Sequence, residues 1–241
     1  MTLPPGQRAV PGLPRFGVDT GRPPEVPDRP TLDLTGPALS RSVRLALDDL
    51  ADLPRRRVTA DLHCVSGWSA TGLVWEGVTV ADVLERWTGD LVDPDAPPTH
   101  AVFRGLDGYQ SVALLEDVRG DDVLLADRLD GEPLGPSHGA PLRLVSPGQY
   151  GFVSTKHLCR IELHVGDPHV PYHRDRRRHL MLQVVKPHPR ARVWREERHR
   201  YLPSRVVRPL YRGLITVGPL AAALRAGVRA DARREQRPPA R

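Results

Sequence analysis

Cysteine is nearly missing from this chain. Only Cys64 and Cys159 occur in 241 residues, in separate segments and without a C-x-x-C spacing, which excludes a disulfide framework and a structural zinc site. Unpaired thiols suit a reducing compartment, so a cytoplasmic location is expected. Long apolar runs are lacking as well: no uninterrupted stretch reaches bilayer-spanning length. The opening Met1-Thr2-Leu3-Pro4-Pro5-Gly6 has neither a basic-then-apolar secretory pattern nor a twin arginine. Aromatic side chains make up 5% of the chain, and no aromatic-rich platform for single-stranded nucleic acid can be recognised. What is abundant is proline, 26 residues against 39% hydrophobic content, a balance that suits a loop-rich β-containing fold with extended tails rather than a helical bundle.

The net charge of +6 and the isoelectric point near 9.9 would suit nucleic-acid binding. Their distribution argues otherwise. The excess lies in Arg174, Arg176, Arg177 and Arg178 and in the tail over 225–241, whereas residues 31–165 carry Asp48, Asp49, Asp52, Asp90, Asp93, Asp95, Asp117, Asp121 and Asp122. No helix-turn-helix or zinc-finger spacing is present, so nucleic acid is not an expected partner.

Three regions follow from the pattern: a Pro/Gly-rich arm over 1–30, a domain over 31–165 and a basic extension over 166–241. The arm reads as extended, either wrapped on the domain or disordered. Alternation predicts strands at Thr31-Leu32-Asp33-Leu34-Thr35 and Ser42-Val43-Arg44-Leu45, then at 57–62, 100–104, 109–115, 142–145 and 158–165. Leu47, Leu50 and Leu53 predict a short helix stopped by Pro54. Trp75-Glu76-Gly77-Val78 reads as a brief extended piece. Thr79, with Asp82 three residues on, predicts an N-capped helix burying Val80, Val83, Leu84 and Trp87. Asp107-Gly108 is a hairpin turn, 115–119 a helical turn, and Val123-Leu124-Leu125-Ala126 a buried run. In the extension, 175–179 is densely charged and 195–201 suits a charged helical turn. The apolar stretch 209–224 is broken by Arg212, Gly213, Gly218 and Pro219, which predicts a packing arm or a peripheral docking segment. The expected class is α+β, with mixed β-sheets in a barrel-like core and short helices.

Asp61-Leu62-His63-Cys64-Val65-Ser66-Gly67-Trp68-Ser69 carries a thiol from a strand end to a Gly/Ser turn. A thiolate there serves as a soft metal ligand or a nucleophile; the plainer alternative is a small buried hydrophobe. Downstream stand His138-Gly139-Ala140-Pro141-Leu142-Arg143 and Ser154-Thr155-Lys156-His157-Leu158. Arg143 offers a planar fork that matches phosphate, Lys156 a point charge, and His138 a further donor. Pro147-Gly148 and Tyr150-Gly151 turns let backbone N–H groups approach a ligand. Taken singly, Arg143 reads as a surface ion pair worth up to about 1 kcal/mol and His138 as a turn residue. Cys159 reads as a core residue sharing a strand face with His157.

Taken together and in order, Cys64, Trp75-Glu76-Gly77-Val78, Asp107-Gly108-Tyr109, His138, Arg143 and Lys156 resemble the molybdopterin-binding domain of the sulfite oxidase superfamily. The resemblance implies that family's fold, a Mo-molybdopterin cofactor with Cys64 as metal ligand and catalytic residue, and cofactor contacts from His63, Asp107, Tyr109, His138, Arg143, Ser154 and Lys156. It implies two-electron oxygen-atom transfer on a small-molecule substrate, with an external electron-transfer partner. The chain departs from the pattern in two places. Val65-Ser66-Gly67-Trp68-Ser69-Ala70-Thr71-Gly72 has none of the cations that follow the cysteine in animal and plant sulfite oxidases, which points away from sulfite. His157 stands where tryptophan is usual. Two other readings stay open: a non-catalytic carrier of the molybdenum cofactor, and a basic nucleic-acid-associated protein in which Cys64 is merely buried.

Overall fold

The strands assemble into two sheets, each mixed. A computed structural model describes residues 2–15, 23–170, 186–217, 221–222 and 224–229; the charged run at 175–179 and the end of the basic tail lie outside them. The first sheet is ordered β1 (Arg8–Val10), β5 (Trp68–Thr79), β8 (Leu124–Leu129), β10 (Arg143–Val145), with β4 (Arg56–His63) on β5 and β9 (Glu132–Pro133) on β8. The second runs β3 (Val43–Ala46), β2 (Thr31–Thr35), β11 (Leu158–His164), β6 (His100–Gly105), β7 (Gln110–Leu114). Pairing is antiparallel except for β1 with β5 and β11 with β2. Among the described residues no helix is long and apolar enough to cross a membrane.

Strand periodicity gives the first sheet two covered faces. Val78, Leu125 and Leu144 join Leu32, Phe103 and Ile161 of the second sheet in one core. Their strand neighbours Leu124, Ala126 and Val145 turn the other way, with Trp68, Ala70, Leu73 and Trp75, and are covered by Leu13 of the arm and Leu224 of the extension. Trp68 and Trp75 are seven residues apart and would face opposite sides of a regular strand. They share a face because β5 carries an extra residue. Ala60 pairs with Leu73 but Leu62 with Ala70, three residues on β5 against two on β4. Gly72 takes the positive φ of +71° that this bulge requires, and its N–H donates to Asp61 Oδ1 at 2.9 Å.

Helix α1 (Val80–Thr88) starts as the sequence predicts, with Thr79 Oγ1 accepting from Asp82 N at 2.9 Å. Val80, Val83 and Leu84 are buried while Trp87 is only partly so. The leucine-spaced segment forms a 3-10 helix, Leu47–Asp52, and α2 (Leu115–Val118) is the expected helical turn. Several expectations are corrected. Trp75–Val78 is not a separate piece but the end of a strand of 12 residues. Gly77 breaks the apolar pattern because β8 approaches too closely for a side chain: a Cβ there would lie 2.1 Å from the Leu125 carbonyl oxygen. The described part of the arm packs on the domain and goes further, donating β1 to the first sheet. Residues 195–201 form turns with one bridge at His199 rather than a helix. The stretch 209–224, read as an interrupted arm, begins inside helix α3 (Ser204–Thr216), which tolerates Pro209 inside it.

Candidate functional site

The outer face of the first sheet holds a thiol at one end and a cluster of cationic side chains at the other. Cys64 sits where β4 turns into β5. Its N–H donates to Trp68 O at 2.8 Å and its carbonyl accepts from Gly67 N at 3.0 Å, a tight turn in which Gly67 has φ +100°. The sulfur lies 3.0 Å from Ser66 Oγ. Burial pushes the thiol up, while the Ser66 hydroxyl and the Arg198 guanidinium work the other way.

His63, next in the chain, is buried and hydrogen-bonded inward. Ser69 Oγ gives its proton to Gln7 Oε1 at 3.1 Å, so the 2.7 Å contact between His63 Nδ1 and Ser69 Oγ requires the imidazole to donate. Burial depresses its protonation, so it serves as a neutral donor that fixes the start of β5. Gln7 Nε2 in turn donates to Cys64 O at 3.1 Å. The loop between β10 and β11 completes this end. Gly151 N donates to His63 O at 2.7 Å, and Tyr150 is fully buried, its hydroxyl without a partner among the described residues.

The same loop leads to the other end. Gly139, at φ +108°, is pinched so that a Cβ would lie 3.1 Å from Lys156 Cβ and 3.2 Å from Arg143 Cβ, which draws His138, Arg143 and Lys156 into one cluster. Arg143 Nη1 donates to His138 O at 2.9 Å, Lys156 Nζ reaches Ser137 O at 3.4 Å, and His138 Nε2 lies 3.1 Å from Leu13 O of the arm. Arg143 is not the surface ion pair that its position alone suggests. It is 1% exposed, its guanidinium stacks 4.8 Å from the Trp75 ring, and it has no carboxylate partner among the described residues. Burial pulls it down to about 10, so it stays protonated at neutral pH. Arg143 Nε and Trp75 Nε1 are both buried donors without an acceptor among the described residues. Such donors are rare unless something supplies the acceptor.

The remaining candidates lie further from direct ligand contact. Ser154 is buried and its Oγ accepts from Ser146 N at 3.3 Å, bracing the loop. Asp107 Oδ1 accepts from Tyr109 N at 3.0 Å in its own turn, and Tyr109 Oη donates to Phe152 O; both support the Lys156 side. His157 and Cys159 do not share a strand face. His157 precedes β11 with φ +54°, and the register slips across Cys159. His157 Nδ1 turns to Ala140 O at 2.7 Å, and the half-buried Cys159 donates to Arg104 O at 3.4 Å, so Cys159 is not a full core residue.

Residues outside the expected domain close the Cys64 end. Arg198 is 1% exposed, with its guanidinium 5.0 Å from the Tyr150 ring; it donates to Val65 O and, at 3.4 Å, to Pro5 O. Tyr211 of α3 pairs its hydroxyl with His199 Nε2 at 2.9 Å. Arg8 Nη2 holds Ile215 O at 2.9 Å. Nothing in spacing or composition marks Gln7 or Arg198; only the tertiary fold places them on this turn.

Among the described residues no three His, Cys, Asp or Glu converge on a metal position. A metal at Cys64 would therefore take its other ligands from a cofactor. One soft thiol, unused buried donors and an arginine–lysine cradle suit a group that brings its own sulfur ligands and a phosphate.

Comparison with known proteins identifies the family. The model of the oxidoreductase molybdopterin binding domain family matches residues 20–171, wider at both ends than the expected 31–165. The uncharacterized oxidoreductase YuiH of Bacillus subtilis is 34% identical over 118 residues, covering 49% of this chain and 57% of that protein. Human mitochondrial sulfite oxidase is 32% identical over 164 residues, covering 57% of this chain but only 29% of its own length. In the crystal structure of the sulfane dehydrogenase SoxCD from Paracoccus pantotrophus, 61% of this chain superposes on 41% of the matched chain with a TM-score of 0.51 at 23% identity, a likeness of fold. With the domain model spanning more than half of its residues, the chain belongs to the family of oxidoreductases with a molybdopterin binding domain.

Proposed function

We propose that this protein is a molybdenum–molybdopterin oxidoreductase that moves an oxygen atom between a small substrate and water, with Cys64 as the protein's ligand to the metal. One observation carries this reading: a largely buried thiol and a buried arginine with an unused donor stand on the same sheet face, joined by a single loop. The bound cofactor supplies the two-electron redox chemistry. The chain supplies the rest. Lys156, Arg143 and His138 form the phosphate cradle, where positive charge and N–H donors oppose the roughly two negative charges of a phosphate monoester. Cys64, once on a metal, is a thiolate without needing a separate base. Neutral His63 holds the turn that presents it. Tyr150, pushed up to about 12 by burial, stays a neutral hydroxyl. Arg198 leaves a positive charge beside the sulfur, although the segment following Cys64 contains none. Electrons then pass to or from a separate carrier.

Molybdenum analysis by mass spectrometry, on protein from a cofactor-competent host beside its Cys64→Ser variant, tests the reading. Near-stoichiometric metal in the wild type and its loss from a folded variant are expected. Well-folded wild-type protein without molybdenum would refute it. Turnover with a redox dye separates an enzyme from a cofactor carrier, which would hold the metal and not turn over.

A further inference from the structure

Helix α3 has two apolar faces, and only one is used. Val207 and Ile215 are buried, and Ile215 Cδ1 lies 3.8 Å from where a Cβ on Gly67 would stand, against the Cys64 turn. Val206 and Leu210, turned toward solvent beside that face, are 60% and 61% exposed, and Leu202 and Val217 continue the strip beyond the helix ends at 44% and 67%. Between them Gly213 leaves the strip flat, with no atom within 4 Å of a built Cβ. Arg205 and Arg212, both exposed and seven residues apart, stand on the other flank of the same outward face, across Pro209 and Thr216 from the strip. Of the five arginines from Arg198 to Val217, Arg198 is buried and Arg200 and Arg208 pair with Asp167 and Glu196, so the positive charge facing outward on α3 is that of Arg205 and Arg212.

We infer that this outer face is the docking surface for an acidic electron-carrier protein. The inference rests on the proposed function, which needs electrons to enter or leave through a second protein. Placement supports it: a carrier seated on the strip is separated from the Cys64 turn by one helix, a thickness of about 10 Å. Composition supports it too. A small apolar centre with a charged rim is the make-up of a transient redox encounter, of the order of 1,000 Å² or less in total, rather than of an obligate interface. Arg205 and Arg212 select a negatively charged partner and steer its approach. The segment lies beyond residue 171, where the family match ends, so the surface belongs to the extension and not to the cofactor domain.

Surface plasmon resonance on the immobilised full-length protein tests this, with an acidic plant-type ferredoxin and the basic mitochondrial cytochrome c as paired probes. Ferredoxin is expected to bind the wild type with an affinity that falls several-fold from low to physiological salt. Leu210→Glu and the double variant Arg205→Glu/Arg212→Glu are each expected to weaken it about tenfold or more. Cytochrome c should bind only the charge-reversed variant. Absence of ferredoxin binding, or equal binding by wild type and both variants, overturns the inference. So does sedimentation of the wild type with phosphatidylglycerol vesicles that Leu210→Glu abolishes while leaving ferredoxin binding intact, which assigns the face to a membrane. Molybdenum content and dye turnover are measured on the same preparations and are expected to be unchanged; their loss in Leu210→Glu places α3 in the cofactor site instead. A wild type without molybdenum sinks the proposed function alone, since binding of the probes is read independently of the metal.

Discussion

Replacing Arg143 with methionine should change stability and cofactor binding in opposite directions. The depression of the guanidinium to about 10 corresponds to roughly 3 kcal/mol against its charged form. Because a base depressed on folding is penalised wherever it is charged, that cost is fully present at neutral pH and is relieved only as pH rises above about 10. Against it stand the hydrogen bond to His138 O and the stacking on Trp75, together about 1.5–3 kcal/mol. Methionine keeps the apolar stem on Trp75 and leaves no charge to desolvate. The cofactor-free variant should therefore melt at or above the wild-type temperature, with a change between about zero and 2 kcal/mol in its favour. Loss of charge-assisted bonds to a phosphate, about 1.5–3 kcal/mol, should lower cofactor retention about 10- to 100-fold. Thermal denaturation of protein made in a cofactor-deficient host gives the first quantity; molybdenum and oxidised-pterin fluorescence of protein from a competent host give the second. A variant destabilised by several kcal/mol that still retains full cofactor would show Arg143 to be a structural arginine and would refute the argument.

Gly139→Ala should cost about 1–3 kcal/mol, because φ +108° strains any L side chain and the new methyl group meets Lys156 and Arg143 at 3.1–3.2 Å; denaturant unfolding reads the loss, and cofactor content should fall with it. His199 is pushed down to about 4 by burial and by Arg198. Between pH 6.5 and 4 the unfolded chain therefore binds the extra proton, and stability should drop by up to about 3 kcal/mol as pH falls through that window. His199→Gln should flatten this dependence in a pH series of melts; an unchanged slope would assign it to other groups.

The cap at Thr79, the hairpin around Asp107-Gly108 and the grouping of His138, Arg143 and Lys156 were legible because each depends on neighbours close in sequence or on a shared spacing. The long strand was not. Gly72 and Gly77 look like breaks in a linear pattern, but one builds a bulge and the other admits β8, and both needs exist only in the assembled sheet. Helix α3 was hidden by Pro209 and Gly213, two residues of low helix propensity that packing on the Cys64 turn overrides. Arg198 could not be singled out among so many arginines, since its distinction is burial against Tyr150 and the Val65 carbonyl.

The turn that holds Cys64 is tied by Gln7 from 57 residues upstream and Arg198 from 133 residues downstream of its contacts. At equilibrium the longer tie is hardly dearer than the shorter, because each doubling of a loop adds only about 0.6 kcal/mol of closure entropy. In time both are slow, like the pairings of β1 with β5 and of β11 with β2, which close loops of comparable length. The turn around the thiol is thus completed by chain from both sides of it, far away in sequence. A tag fused just ahead of Gln7, or a truncation within the extension, would act on the centre of the molecule rather than on its edge.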